Sequence, residues 1–133
     1  MDKSLVQLTA SEVVEGLKKG EISPLELISA AETRILETEP AINALPTLCL
    51  ERARAQAKAL MEKERHGSEN NRGWLAGLPV AIKDLTDVAG VRTTYGSTIF
   101  KDHIPKTSHP LVKRIENMGG IIIAKSNTPE FGA

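Results

Sequence analysis

The chain has little cysteine, no net charge and no long apolar run, and each of these shortages excludes a class of protein. Its single cysteine, Cys49, excludes an internal disulfide and favours a reducing compartment. Lysine plus arginine and aspartate plus glutamate number 17 each, so net charge does not indicate a nucleic acid or an anionic membrane as a partner. Apolar runs such as residues 121–124 are too short to span a bilayer, and residues 1–4 lead into no apolar segment of a secretory signal. We therefore expect a cytoplasmic protein that binds neither nucleic acid nor membrane.

The 133 residues have the length of one domain, and a change of pattern divides them into a helical arm, 1–72, and a segment of mixed strand and helix, 73–133. Two sites in the arm have the sequence of a capping box, which begins a helix: Thr9 with Glu12, and Ser23 with Glu26. Pro40 is predicted to end the second of these helices. The remaining predictions for the arm are a short strand or an extended segment at 42–48, a third helix at 51–65 and a polar loop at 66–72. Trp74 is predicted to pack where the arm meets the second segment.

The second segment has the pattern of a strand, a helix and another strand. The strands are predicted at 79–83 and 121–125, and the β-branched run of the latter is typical of a strand buried on both faces. A helix capped by Thr107 or Ser108 lies between them, so the two strands are expected to run parallel. Their C-terminal ends then meet at one edge of the sheet, where open α/β sheets bind ligands. We also expect strand 121–125 to keep an unpaired edge, through which copies of the chain could associate.

Lys83 closes the first of these strands and is the most informative single residue. A desolvated ammonium loses proton affinity and can act as a base near neutral pH. The alternative is a lysine that lays its stem along the sheet and keeps its charge in water, and the strand pattern alone favours this alternative. Asp84 follows on the opposite face of the strand, so we do not expect it to pair with Lys83.

Four sequence motifs reverse that preference. They occur in order at Gly77–Asp84, Thr93–Ser97, Lys113–Gly120 and Lys125–Gly132, and together they resemble the N-terminal core of the amidase signature family. The resemblance implies an α/β fold in which a mixed sheet has helices on both faces. It also implies that this chain is only the truncated N-terminal portion of one amidase domain, with 1–72 as a helical arm and 73–133 as the start of the core.

The resemblance also implies a chemistry. Members of the family hydrolyse amides with a Ser–cis-Ser–Lys triad, and the position of the family's lysine corresponds to Lys83, whose amine we expect to be largely buried. Both serines of the triad are expected beyond residue 133, so we expect this chain alone to be inactive. The loop of Ser126, Asn127 and Thr128 is expected to line the substrate cleft, or, in a purely structural role, to let Thr128 cap the turn that begins at Pro129. We expect a small-molecule amide as substrate, and neither a metal nor an organic cofactor.

Three functions remain open at the level of sequence. The first is a free-standing amidase, the second is the A subunit of a glutamine-dependent tRNA amidotransferase, and the third is an inactive fragment that acts only through contacts. Leu85 occupies a position where many members, notably the amidotransferase subunits, have asparagine, and this favours the amidase. His103 and His109 have no partner at the spacing of metal ligands, so a structural role in a loop is expected for both.

Overall fold

The helical arm begins as the sequence predicts. The computed structural model describes residues 4–64 and 72–133. Helix α1 spans Ala10–Lys19 and helix α2 spans Pro24–Ile42, and both start with a complete capping box. The hydroxyl of Thr9 accepts the backbone N–H of Glu12 at 3.3 Å, and the hydroxyl of Ser23 accepts that of Glu26 at 3.2 Å. These bonds satisfy amide groups that would otherwise have no partner in the first turn of each helix.

The prediction that Pro40 ends α2 is wrong. The helix continues through Pro40 to Ile42 and ends at Asn43, which adopts a left-handed conformation with φ of 52°. A proline removes one backbone hydrogen bond, and in the last turn this loss is small. The side chain of Glu39 supplies the stop signal, since it accepts the backbone N–H groups of Ala44 and Leu45 at 3.0 and 2.9 Å.

The elements between the arm and the sheet are shorter than predicted or lie outside the described residues. Strand β1 covers only Thr47–Leu48 of the predicted strand 42–48, because the first of those residues still belongs to α2. Helix α3 spans Leu50–Glu64 and agrees with the predicted helix. The predicted loop 66–72 lies outside the described residues except for Arg72.

The sheet is mixed and has three strands in the order β1-β3-β2. Strand β2 is Pro79–Lys83 and strand β3 is Ile121–Ser126, and the two run parallel as predicted. On its other side β3 pairs antiparallel with β1. The prediction of an unpaired edge at strand 121–125 is therefore wrong, because a segment of the arm returns to pair with β3 and leaves it in the middle of the sheet.

Helices cover both faces of this sheet. On one face α2 and α3 pack against β3, with Ile28, Ile35, Ala53 and Ala57 in contact with Ile121 and Ile123. On the other face Val112 and Ile115 pack against Ile82, Val88 and Ile122. They belong to helix α4, Pro110–Asn117. This arrangement confirms the predicted α/β class with helices on both faces of a mixed sheet.

Helix α4 does not use the caps predicted for it. Its N-cap is His109, whose Nδ1 accepts the backbone N–H of Leu111 at 3.0 Å. Pro110 occupies the first helical position, which places the cap at the residue directly before it. Ser108 instead accepts the backbone N–H of Ala89 at 2.8 Å and so ties two loops together.

A bulge in β3 decides which side chains face which helices. Val80 is aligned with Ile122, but the next residue, Ala81, is aligned with Ala124, so β3 contains one extra residue at Ile123. Without the bulge, Lys125 would lie on the same face as Ile123, against α2 and α3. With it, the phase of alternation shifts and Lys125 lies on the opposite face.

Trp74 packs at the junction of the arm and the core, as predicted. It is 5% exposed and lies in a cluster with Val13 and Leu17 of α1 and Leu27 of α2. The indole ring also leaves no room for a side chain at Gly119, because a Cβ there would stand 2.8 Å from the ring. Across residues 4–64 and 72–133, no helix combines the length and the apolar character that crossing a membrane requires.

Candidate active site

The two predicted site segments meet at one edge of the sheet. Lys83 is the last residue of β2, Ser126 is the last residue of β3, and the two are register partners. The backbone continues the contact for one more residue, because the N–H of Asp84 donates to the carbonyl of Ser126 at 2.9 Å. The C-terminal edge of the parallel pair therefore holds Lys83 beside the start of the loop 126–128.

The prediction that Lys83 is largely buried is wrong for the described chain, in which its side chain is exposed. Ile82 points into the cluster beneath α4, so alternation places Lys83 on the opposite face. On that face α3 packs on β3, and α2 contacts β2 as well, but Ala81, which shares the face with Lys83, is exposed. The local sequence pattern correctly placed Lys83 at the end of β2, but the burial of Lys83 depends on which segments cover that strand.

The buried lysine of this site is Lys125, which the sequence reasoning treated only as part of a motif. Its side chain is 0% exposed. The Nζ atom donates to the carbonyl of Thr86 at 2.6 Å and to the hydroxyl of Thr93 at 2.9 Å, and it lies 3.4 Å from Oδ1 of Asp84. An ammonium has three protons to donate, and three acceptors surround this one. The available signal for a buried charge was a lysine directly after the apolar run 121–124, inside the strand predicted to be buried on both faces.

Asp84 completes the ion pair and is itself 1% exposed. Its carboxylate accepts the backbone N–H of Thr94 at 3.1 Å and also the hydroxyl of the same residue. The predicted absence of a pair with Lys83 agrees with this geometry, since Asp84 points to Lys125. Two residues of the motif segment Thr93–Ser97 thus contact the ion pair, since Thr93 accepts from Lys125 and Thr94 donates to Asp84.

Burial lowers the pKa of Lys125 from its ordinary value of 10.5, and the nearby negative charge of Asp84 opposes only part of this shift. Burial likewise raises the pKa of the Cys49 thiol. Cys49 packs on the same face, where its Sγ donates to the carbonyl of Ile122 at 3.4 Å. The pair of Lys125 and Asp84 thus lies in a desolvated part of the sheet, where an unpaired charge would be costly.

The loop after β3 borders a cleft of about 200 Å³. Of the three predicted substrate-binding residues, Asn127 and Thr128 line this cleft together with Thr94 and Ser97, whereas Ser126 does not. Asn127 is held by the arm, since its Nδ2 donates to the carbonyl of Asn43 at 3.0 Å. Lys83 is not among the residues that line the cleft.

Thr128 does not cap the turn that follows it, which corrects the structural alternative. A 3₁₀ turn at Glu130–Gly132 begins after Pro129 and has no side-chain cap. The hydroxyl oxygen of Thr128 is buried, and no described residue gives it a hydrogen bond. A buried hydroxyl without a partner is rare, and because this oxygen is buried it does not open into the cleft that Thr128 lines.

The turn 94–97 and the loop 128–131 are joined backbone to backbone. Gly96 has a φ of 70°, and a Cβ on it would stand 2.6 Å from the carbonyl oxygen of Pro129. The backbone N–H of Phe131 donates to the carbonyl of Tyr95 at 2.7 Å, and the hydroxyl of Ser97 donates to Glu130 at 3.1 Å. Only glycine at position 96 allows this close approach.

The two histidines have structural contacts. His109 caps α4, and Nε2 of His103 lies 3.4 Å from the hydroxyl of Tyr95, which donates to Asp87. Within the part of the chain that the structure describes, no group of three or more histidine, cysteine or acidic side chains is arranged to hold a metal ion. The structural role expected for both histidines agrees with these contacts.

Known proteins with the same sequence pattern and fold give this site its context. The chain is 39% identical over 127 residues to the A subunit of a glutamyl-tRNA(Gln) amidotransferase from Natranaerobius thermophilus, and the match covers 96% of this chain and 26% of that protein. It also matches a chain from a vestigial protein complex, described as revealing the origins of an s-triazine catabolic enzyme, with a TM-score of 0.85 and 33% identity over 93% of this chain and 27% of that chain. A bacterial aryl acylamidase of the amidase signature family matches with a TM-score of 0.83 and 26% identity over 93% of this chain and 26% of that chain. The chain thus spans about a quarter of the length of the curated relatives it matches.

A family model described as amidase matches residues 26–133 of the chain. The matched residues include all four motifs, both parallel strands and the buried pair of Lys125 and Asp84. This chain therefore belongs to the amidase family, whose members include the amidase signature enzymes.

Proposed function

We propose that the protein containing this chain hydrolyses a linear amide to a carboxylate and an amine or ammonia, with Lys83 as the base of a Ser–cis-Ser–Lys triad. The position of Lys83 supports this proposal most directly: it ends β2 at the C-terminal edge of a parallel pair, beside Ser126. Family membership supports the same chemistry. The two serines would come from sequence outside these residues.

In the proposed reaction, Lys83 is desolvated by the segment that carries the two serines, and its amine then takes a proton, through the bridging serine, from the hydroxyl of the nucleophilic serine. The serine oxygen attacks the amide carbonyl, and the carbon–nitrogen bond breaks as the lysine returns the proton to the leaving amine. Water then hydrolyses the acyl-enzyme to the carboxylate and restores the serine. In the described chain Lys83 is exposed, and so is Ala81 on the same face of β2.

The cleft beside this edge is the proposed place for part of the substrate. Asn127 and Thr128 line it, and the hydroxyl oxygen of Thr128 has no hydrogen bond from the described residues.

The test is amide hydrolysis by the full-length protein and its Lys83→Ala variant. We expect turnover to fall by about 10²–10⁴-fold, the range that general-base catalysis supplies. Within the described residues Lys83 is exposed and its loss removes no packing there, so the thermal unfolding midpoint should change little. Lys106→Ala, at another exposed lysine, is the matched control and should keep full turnover. Retained turnover in Lys83→Ala would refute the proposal.

The A subunit of a tRNA amidotransferase is the second candidate, and the curated relatives favour it. Leu85, at a position where many family members have asparagine, favours the free-standing amidase. Hydrolysis of simple amides without tRNA would support the amidase. Activity that needs misacylated tRNA and glutamine would support the amidotransferase.

The third candidate is that the 133 residues alone are an inactive fragment. We propose that they hydrolyse no amide by themselves, because a base without a nucleophile gives no acyl-enzyme. Within the described residues, β1 and β2 are the edge strands open to self-association, since each pairs only with β3. A monomer whose mass in sedimentation does not depend on concentration, and which hydrolyses amides, would contradict both statements.

A further inference from the structure

The two lysines at the ends of β2 and β3 have opposite environments. Lys83 is exposed, whereas Lys125, one residue before the register partner of Lys83, is completely buried. A buried charge is costly unless it is fully paired, and this ammonium has an acceptor for each of its protons. Lys125 therefore fixes the positions of the three residues that carry these acceptors.

Two of the three acceptors belong to the turn that directly follows Lys83. One is the carbonyl of Thr86 at 2.6 Å, and the other is the carboxylate of Asp84 at 3.4 Å. The same turn is closed on its other side by Lys83, whose carbonyl accepts the backbone N–H of Thr86 at 3.0 Å. The buried amine of Lys125 thus binds the turn at Asp84 and Thr86, the two residues that flank Leu85.

The remaining contacts tie this turn to the motif segment at 93–94. The hydroxyl of Thr93 is the third acceptor of Lys125, at 2.9 Å. Thr94 donates to Asp84 through both its backbone N–H and its hydroxyl. One buried ammonium therefore connects the residue after Lys83, the end of the turn and the segment that lines the cleft.

We propose that Lys125 is a positioning residue for Lys83. By holding Asp84 and Thr86 it fixes where β2 ends and in which direction the side chain of Lys83 leaves the sheet. This inference rests on the proposed function, in which Lys83 is the catalytic base. A purely structural Lys125 would change the amount of folded protein but not the turnover of each folded molecule.

The experiment uses the full-length protein and two variants of this network. Lys125→Met keeps the length of the side chain and removes its charge, and Thr93→Val removes one acceptor with little change of shape. Each is assayed for kcat and KM at a folded-protein concentration set by circular dichroism. We expect Lys125→Met to lower kcat about 10²-fold, the cost of a small misplacement of a reacting group, with a smaller decrease for Thr93→Val and little change in KM. Lys106→Met and Thr107→Val, at exposed positions, are the matched controls.

A double variant distinguishes positioning from general damage. If Lys125 acts through Lys83, then Lys125→Met added to Lys83→Ala lowers the residual activity no further. Additive losses would overturn the inference, and so would unchanged kcat in both single variants. If Lys125→Met does not fold, kcat of Thr93→Val decides in the same way.

The two proposals fail differently. Full activity in Lys83→Ala refutes the proposed function and with it the role of Lys125. Loss of activity in Lys83→Ala, together with unchanged kcat in Lys125→Met and Thr93→Val, refutes the positioning role alone.

Discussion

Replacing Lys125 by methionine should destabilise the fold strongly, because it leaves the buried carboxylate of Asp84 without its cation. The two side chains are 0% and 1% exposed, and the Nζ atom lies 3.4 Å from the carboxylate. Removing one partner of a buried ion pair costs about 3–5 kcal/mol. Methionine has nearly the same length, so the cavity contribution should be small. The loss is a large part of a total free energy of unfolding of about 5–15 kcal/mol.

The double variant gives the sharper test of this reasoning. Asp84→Asn alone leaves a buried ammonium without its anion, whereas Lys125→Met with Asp84→Asn removes both charges. We therefore expect the double variant to be less destabilised than the sum of the two single variants, by up to about 3 kcal/mol. Lys106→Met, at an exposed position, should change stability by less than about 0.5 kcal/mol.

Urea unfolding followed by circular dichroism measures these differences as shifts of the midpoint at constant slope. A loss below about 1 kcal/mol in Lys125→Met would refute the reasoning, since that is the size of an ordinary surface or single hydrogen-bond effect. Additivity of the two single variants would also refute it, because two charges that stabilise each other cannot contribute independently.

Three further predictions concern other parts of the fold. Gly96→Ala should lower the free energy of unfolding more than Gly90→Ala does. Both positions have a positive φ, 70° and 74°, but only at Gly96 would a Cβ stand 2.6 Å from a carbonyl oxygen. The urea midpoints of the two variants test this. The hydrogen bond to Asp87 raises the pKa of Tyr95 to about 12, so its contribution to stability is complete below about pH 10 and is lost as the pH rises through about 12. A Tyr95→Phe variant whose stability falls just as steeply over this range would contradict that assignment. Ser23→Ala should cost about 1 kcal/mol at the start of α2, seen as a lower thermal midpoint, and an unchanged midpoint would mean that the capping box contributes nothing.

Local chemistry was sufficient to predict the elements whose signals lie within a few residues. The capping boxes at Thr9 and Ser23 begin the helices, because side chain and amide are only three positions apart. Strand β3 also followed from the pattern, because burial on both faces selects β-branched residues, and its parallel pairing with β2 followed from the helix between the two strands. The same reasoning failed at Pro40. The helix ends after Pro40, where the carboxylate of Glu39 accepts the backbone N–H groups of the residues five and six positions after Glu39.

Long-range pairing decided the rest. β1 completes the sheet with two residues, too few to give a pattern of their own. The bulge at Ile123 moves Lys125 to the other face of β3, and nothing in the run 121–125 distinguishes a bulged strand from a regular one. The burial of Lys125 and the exposure of Lys83 both depend on which helices cover which strands. The motifs therefore located the edge where the chemistry is proposed, and only the packing of distant segments showed which of its two lysines is buried.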